Sequence, residues 1–209
     1  MRLTKMSILT ASAITIAIMF LISVAAGDRY ACSTALLSIL LLAIPAGCIV
    51  RNVIVLPWPV LVGIGLSLVL HNLGLVTNWY NTTTWWDSIT HFLSGITVAS
   101  LAAVVLIVAI VSSEKIRVPT VWIPFLIFAS VLAMEGVWEI LEYSLDVIIG
   151  TMMQHGLDDT MKDIVANTVS GVVAGLGFAY YISKASLQDL VDNLKVERIV
   201  EWSRRNLSD

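Results

Sequence analysis

Charged residues are scarce in this chain: of its 209 residues, 13% are charged and 58% are hydrophobic. Soluble domains carry about 25% charged residues, so the composition excludes an ordinary soluble domain and indicates a membrane protein. Low-complexity tracts and internal repeats are also lacking. The only two cysteines, Cys32 and Cys48, lie far apart in one predicted helix. We expect them to be buried apolar side chains rather than a disulfide or a metal pair.

Long apolar runs are what the sequence has in abundance. A membrane-spanning helix needs roughly 20 apolar residues, and six stretches predict an all-α, polytopic six-helix bundle within residues 1–185. The first run is too long for the apolar core of a secretion signal, so we expect it to be retained. The predicted spans are residues 6–26, 32–50, 57–77, 88–112, 120–145 and 160–183.

The basic residues predict the orientation of the bundle, because short cytoplasmic loops are enriched in Lys and Arg. With the N-terminus inside, ten basic residues are cytoplasmic and only Arg29 and Lys162 lie outside. Aromatic residues at positions 79–86 favour the outer interface. We therefore predict a multi-pass protein of the cell (plasma) membrane with both termini in the cytoplasm.

The last segment, residues 186–209, is polar and charged, with apolar residues at helical spacing. This pattern predicts a cytoplasmic amphipathic helix that lies on the inner leaflet or on a partner subunit. The alternative is a short solvated helical tail.

Six acidic residues lie inside or at the mouth of the apolar segments, almost without basic residues to pair with them. Ionised groups in hydrocarbon are costly, so such a cluster indicates a function. The group must hold protons, bind a cation or line a wet cavity. The six are Asp87, Glu135, Glu139, Glu142, Asp159 and Asp163.

Spacings of three and four place these residues on single helix faces. In the fourth span His91 follows Asp87 by four residues, and in the sixth Asn167 follows Asp163 by four. His71 of the third span is expected at a similar depth. Stacking by depth predicts three layers near the outer leaflet: Asp87, Glu142 and Asp159; His91, Glu139 and Asp163; and His71, Glu135 and Asn167.

Carboxylates with imidazoles are ligands of Zn²⁺, Mn²⁺ or Fe²⁺, and carboxylates alone suit Mg²⁺ or Ca²⁺. We therefore predict a divalent-metal site made of His91, Glu139 and Asp163, open to the outside. Asp87 or Glu142 would act as the general base. The other residues of this polar site are His71, Glu135, Asp159 and Asn167.

Structural interpretations compete with this one. The acids could form a purely structural hydrogen-bonded network of protonated groups. His71 is expected to make an interhelical hydrogen bond, and Asp146 and Asp158 are expected to be solvated at the interface.

Three motifs follow one another on the last three predicted helices: Trp86-Asp87-x-x-x-His91-Phe92-x-x-Gly95, then Trp138-Glu139-x-x-Glu142, then Asp159-Thr160-x-x-Asp163-x-x-x-Asn167-x-x-x-Gly171. Over residues 85–178 this set resembles the YjdF-like family of uncharacterised prokaryotic membrane proteins, and more distantly it is similar to the VanZ-like family. The resemblance implies a shared fold and polar site without naming a reaction. The association of VanZ-like proteins with glycopeptide resistance implies cell-envelope or lipid-carrier chemistry.

The leading functional hypothesis is a metal-dependent intramembrane hydrolase or transferase acting on a lipid head group. The alternatives are a proton- or cation-coupled transporter or channel, and a membrane scaffold or accessory subunit. The predicted partners are the lipid bilayer and a lipid head-group substrate, without nucleic acid. The small residues Gly171 and Gly175, at a spacing of four, predict a close helix contact through which the chain could form an oligomer.

Overall fold

A computed structural model describes residues 2–54, 56–112, 116–150, 153–184 and 201 of the chain. Most of these residues are helical. Within these ranges no strand occurs, so the predicted all-α class is confirmed. The seven α-helices of the described residues are α1 (Arg2–Ala26), α2 (Arg29–Val50), α3 (Trp58–Val76), α4 (Trp79–Thr82), α5 (Trp86–Ser112), α6 (Ile123–Ile149) and α7 (Leu157–Lys184). A 3₁₀ turn, Thr120–Trp122, leads into α6.

Six of these helices, all except α4, are long and apolar enough to cross a membrane. They correspond to the six predicted spans, so the multi-pass architecture is confirmed. The largest differences are that α1 begins already at Arg2 and that α6 continues to Ile149. The orientation of the termini stays a prediction. Apart from Glu201, the predicted amphipathic segment 186–209 lies outside the described residues.

The first of two compact units contains α1 to α4, and α1 packs against both α2 and α3. Ile16 of α1 and Leu61 of α3 are fully buried in its core. Polar contacts also join these helices: Asn72 Nδ2 donates to Ser38 Oγ over 2.8 Å. Such bonds persist in lipid, because the polar groups find no water there. Both cysteines, which lie in α2, are free as predicted, although they are half-buried rather than buried.

The second unit consists mainly of α5, α6 and α7. Ile123, Ile127 and Val131 form a buried apolar row on α6. Gly95 marks a close approach of α5 to α7, since a Cβ there would overlap Ser170 Oγ and Asn167 Oδ1. The polar residue Asn167 is thereby placed directly against α5.

The small residues of α7 pack against α6 of the same chain. A Cβ on Gly171 would lie 3.1 Å from Phe128 Cδ2, and one on Gly175 would lie 3.0 Å from the Pro124 carbonyl oxygen. Both glycines are buried. The predicted close contact therefore exists within one chain, where α6 covers this face of α7, and an oligomer contact stays a prediction.

Candidate metal site and its polar surroundings

His91, in the second turn of α5, lies against polar groups of both neighbouring helices of its unit. Its Nδ1 is 3.3 Å from each carboxylate oxygen of Glu135 on α6 and 3.1 Å from Nδ2 of Asn167 on α7. Asn167 Nδ2 also donates to Glu135 Oε2 over 2.5 Å. All three residues are buried. His91 thus contacts Glu135 and Asn167, which the depth argument had placed one layer deeper.

The other ring nitrogen of His91 faces a different carboxylate, with Nε2 3.4 Å from Asp87 Oδ1. A proton on Nδ1 is directed toward Glu135 and leaves the lone pair of Nε2 on the side of Asp87. A proton on Nε2 is directed toward Asp87, and Nδ1 then accepts from Asn167. The first tautomer is the one in which Nε2 can bind a metal, since metal-bound histidines usually donate their other N–H to a carboxylate or carbonyl.

Asp87, His91 and Asp163 form a group with the geometry of a metal site. Each offers one ligand atom, and the three atoms lie within 4.8 Å of one another. Asp163 is 2% exposed, and its Oδ1 has no hydrogen-bond partner. A buried, unpartnered carboxylate oxygen is costly unless a proton or a cation satisfies it. The chemistry and the spacing of these residues therefore fit a divalent cation.

Two of the three predicted metal ligands, His91 and Asp163, belong to this group, and Asp87 is the third member. Glu139 lies elsewhere on α6, where its Oε2 accepts from Thr160 Oγ1 over 2.7 Å. Gln154 Nε2 donates to Thr160 Oγ1 over 3.0 Å and makes a longer contact of 3.5 Å to the same Glu139 oxygen. Glu139 is buried, and its other oxygen, Oε1, has no hydrogen-bond partner.

The remaining predicted acids lie toward the surface of the unit. Glu142 is half-buried, and its Oε1 accepts from Trp138 Nε1 over 2.8 Å. Asp159 is half-buried and lies 3.4 Å from His155 Nδ1. Asp158 is exposed, as predicted, and pairs with Lys162 over 2.5 Å.

Two outcomes concern residues outside this group. His71 belongs to the first unit, where its Nδ1 is 2.8 Å from Tyr80 Oη. Asp146 was expected to be solvated, and this expectation is wrong: its two carboxylate oxygens accept from the backbone N–H groups of Met153 and Gln154, each over 2.9 Å.

Sequence reasoning missed Gln154 and the role of Thr160. Thr160 precedes Asp163 by three residues and therefore lies on the same face of α7, which was a usable signal. Gln154 lies in a loop, where residue spacing does not predict which way a side chain points. No pattern in the sequence therefore indicated its contact with Glu139.

A family model described as a predicted membrane protein, DUF2238, matches residues 8–184 of the chain. The matched region includes every residue of the candidate site. No curated protein and no solved structure matches the chain significantly. The YjdF-like and VanZ-like resemblances stay predictions.

Proposed function

We propose that the chain, which belongs to the DUF2238 family of predicted membrane proteins, is a metal-dependent membrane hydrolase or transferase acting on a lipid head group. The observation that carries the proposal is the convergence of Asp87, His91 and Asp163 within 4.8 Å, with a buried Asp163 oxygen that lacks a partner. Three protein ligands with further positions open are typical of catalytic metal sites.

Glu135 is the residue that would orient the metal ligand His91. A carboxylate that accepts from the second ring nitrogen fixes the tautomer and raises the basicity of the ligating nitrogen. Glu135 in turn is held by the Asn167 amide. Together these contacts prearrange one ligand before any metal binds, which reduces the reorganisation that binding requires.

We assign the general base to Glu139 rather than to the predicted Asp87 or Glu142. Asp87 is a member of the ligand group, and Glu142 is only half-buried, whereas Glu139 is buried. Glu139 Oε2 is held by Thr160, so Oε1 is free to accept a proton. A bound metal ion would supply the activated water that this base deprotonates.

The depth of the site supports a head-group substrate. Asp87 lies in the first turn of α5, and Asp163 is six residues past the start of α7, or about 9 Å at 1.5 Å per residue. Both positions are therefore near one end of their membrane-spanning helices. The polar head groups of a bilayer lie at this level, outside the hydrocarbon core.

Proton- or cation-coupled transport is the second candidate, because Glu139 and Asp163 each have a buried carboxylate oxygen without a hydrogen-bond partner, and such an oxygen could bind a proton. A path through the membrane is less well supported. Between Ile96 and Val111, α5 has only Thr97 and Ser100 as polar side chains, and each donates to a carbonyl of its own helix.

The proposal is tested by metal analysis of protein purified without chelator. The wild type should contain about one equivalent of a transition metal per chain, and Asp163→Asn should lose it. Asp158→Asn is the matched control, because Asp158 is an exposed carboxylate near the start of the same helix, and this variant should keep the metal. Absence of metal from the wild type after incubation with Zn²⁺, Mn²⁺ and Fe²⁺ would refute the metal site and favour proton-coupled transport or a structural network.

A second variant separates the two roles considered for Glu139. If Glu139 is the base, Glu139→Gln keeps the metal but loses turnover of vesicles containing phosphatidylethanolamine and phosphatidylglycerol, followed by mass spectrometry of the lipids. If Glu139 is a ligand, as the sequence predicted, the same variant loses metal affinity.

A further inference from the structure

The side chain of Asp146 binds backbone N–H groups of the loop that precedes α7. Its Oδ1 accepts from the N–H of Met153 and its Oδ2 from the N–H of Gln154, each over 2.9 Å. A carboxylate that accepts from two consecutive N–H groups fixes both the position and the orientation of the backbone at these two residues. Hydrogen bonds to an ionised acceptor are also stronger than neutral ones.

The held loop segment carries the Gln154 side chain toward the site. Gln154 Nε2 donates to Thr160 Oγ1 over 3.0 Å, and that hydroxyl donates to Glu139 Oε2 over 2.7 Å. A chain of hydrogen bonds thus runs from Asp146, through the loop and Thr160, to Glu139. Both donors, Thr160 and Gln154, lie against Glu139 Oε2, and the buried Oε1 of Glu139 is left without a hydrogen-bond partner.

We infer that Asp146 is a positioning residue for Glu139, which acts through Gln154 and Thr160 and determines which Glu139 oxygen is available for proton transfer. This inference rests on the proposed function of Glu139 as general base. Asp146 itself lies seven residues beyond Glu139 on α6 and is outside the three-residue metal group. Its contribution is therefore indirect.

The glycines at the two ends of the loop explain why the position of Gln154 depends on Asp146. Gly150 ends α6 with φ of 77°, and Gly156 precedes α7 with φ of 103°. Positive φ values of this kind are readily adopted by glycine, which has many accessible conformations. Contacts such as those of Asp146 are needed to select one of them.

The test compares Asp146→Asn, Gln154→Ala and the control Asp158→Asn in the full chain. Amide hydrogen exchange, measured by mass spectrometry on a peptide containing residues 153–156, reports whether the loop is held. Labelling of Glu139 by dicyclohexylcarbodiimide reports whether its carboxyl group is fixed by its donors. Neither measurement requires a metal or a substrate.

In Asp146→Asn we expect exchange at the Met153 and Gln154 amides to be at least about tenfold faster, because hydrogen bonds to a charged acceptor are lost. Labelling of Glu139 should become severalfold faster in the same variant. Gln154→Ala should accelerate labelling without affecting loop exchange, since it leaves the backbone contacts intact. Asp158→Asn should change neither.

Unchanged loop exchange in Asp146→Asn would overturn the inference, as would faster exchange with unchanged labelling of Glu139. Cobalt binding by the wild type and by Asp146→Asn distinguishes this failure from failure of the proposed function. If neither binds Co²⁺, the metal site is refuted while the two other measurements still decide the role of Asp146. If the wild type binds Co²⁺ and Asp146→Asn does not, Asp146 supports the metal ligands rather than Glu139, and the inference is overturned.

Discussion

His91 and Glu135 face each other across α5 and α6, with the imidazole Nδ1 3.3 Å from each oxygen of the carboxylate. Both side chains are buried, so this contact is shielded from water. Its consequence is that one ring nitrogen of His91 has a fixed partner while the other points toward Asp87. The arrangement couples the ligand group to α6, although α6 contributes no residue to that group.

Replacing Glu135 by Gln should weaken metal binding without abolishing it. The three ligands remain, but His91 loses the carboxylate that orients it, and such losses typically cost about 10–100-fold in affinity. Competition against a chelating dye measures the dissociation constant. Glu142→Gln is the control, because Glu142 is on the same helix and contacts Trp138 instead. Equal affinity of Glu135→Gln and wild type would contradict the proposed role of Glu135.

Metal-free protein should be stabilised when Asp163 is replaced by Asn. The Asp163 carboxylate is 2% exposed and its Oδ1 has no hydrogen-bond partner. An ionised carboxylate at such a position is costly without a cation, and the neutral amide of Asn removes that charge. The thermal unfolding midpoint of the variant should therefore be higher than that of the metal-free wild type. Added Zn²⁺ should raise the midpoint of the wild type only, because ligand binding stabilises the state that binds it. A lower midpoint for the metal-free variant would show that the carboxylate stabilises the fold.

Gly95→Ala should destabilise the second unit. Its new methyl group would overlap Ser170 and Asn167, and overpacking of this kind costs about 1–3 kcal/mol. Because Asn167 holds Glu135, metal affinity should fall as well. Gly177→Ala provides the comparison: nothing lies within 4 Å of the position its Cβ would take. Unfolding in detergent should show a lower midpoint for the first variant and little change for the second.

Cysteine labelling tests the orientation of the chain. In a background without Cys32 and Cys48, a cysteine replacing Asn81 should react with a membrane-impermeant maleimide on intact cells. A cysteine replacing Arg51 should react only after the membrane is opened, because the excess of basic residues predicts that this loop is cytoplasmic. The reverse pattern would place the acidic site on the cytoplasmic side and exclude an outer-leaflet substrate.

Much of the fold could be predicted because membrane spans are specified locally. A run of apolar residues of sufficient length has few alternatives in lipid, where every backbone polar group must be bonded within the helix. The ends were less predictable: α7 begins before the acidic residues Asp158 and Asp159, which occupy its first turn. Carboxylates interact favourably with a helix N-terminus, so these acids are compatible with helix.

The candidate site was predicted in part, for a reason visible in Glu139. Spacing placed Glu135 and Glu139 on one stripe of α6, but it does not determine how far α6 is shifted along α5. In the structure Glu135 lies against His91, and Glu139 lies against Thr160 and Gln154. The small residues of α7 allow its close contacts with α5 and α6, and their effect on register cannot be read from either helix alone.

The sequence by itself determined that this protein is a helical membrane protein with an acidic cluster in its last three spans, because hydropathy and helical spacing are properties of single segments. Only the tertiary structure decided that Asp87 joins His91 and Asp163, that Glu135 holds the imidazole and that Asp146 holds a loop. These contacts depend on the rotation and register between helices, which side-chain packing sets across segments distant in the chain.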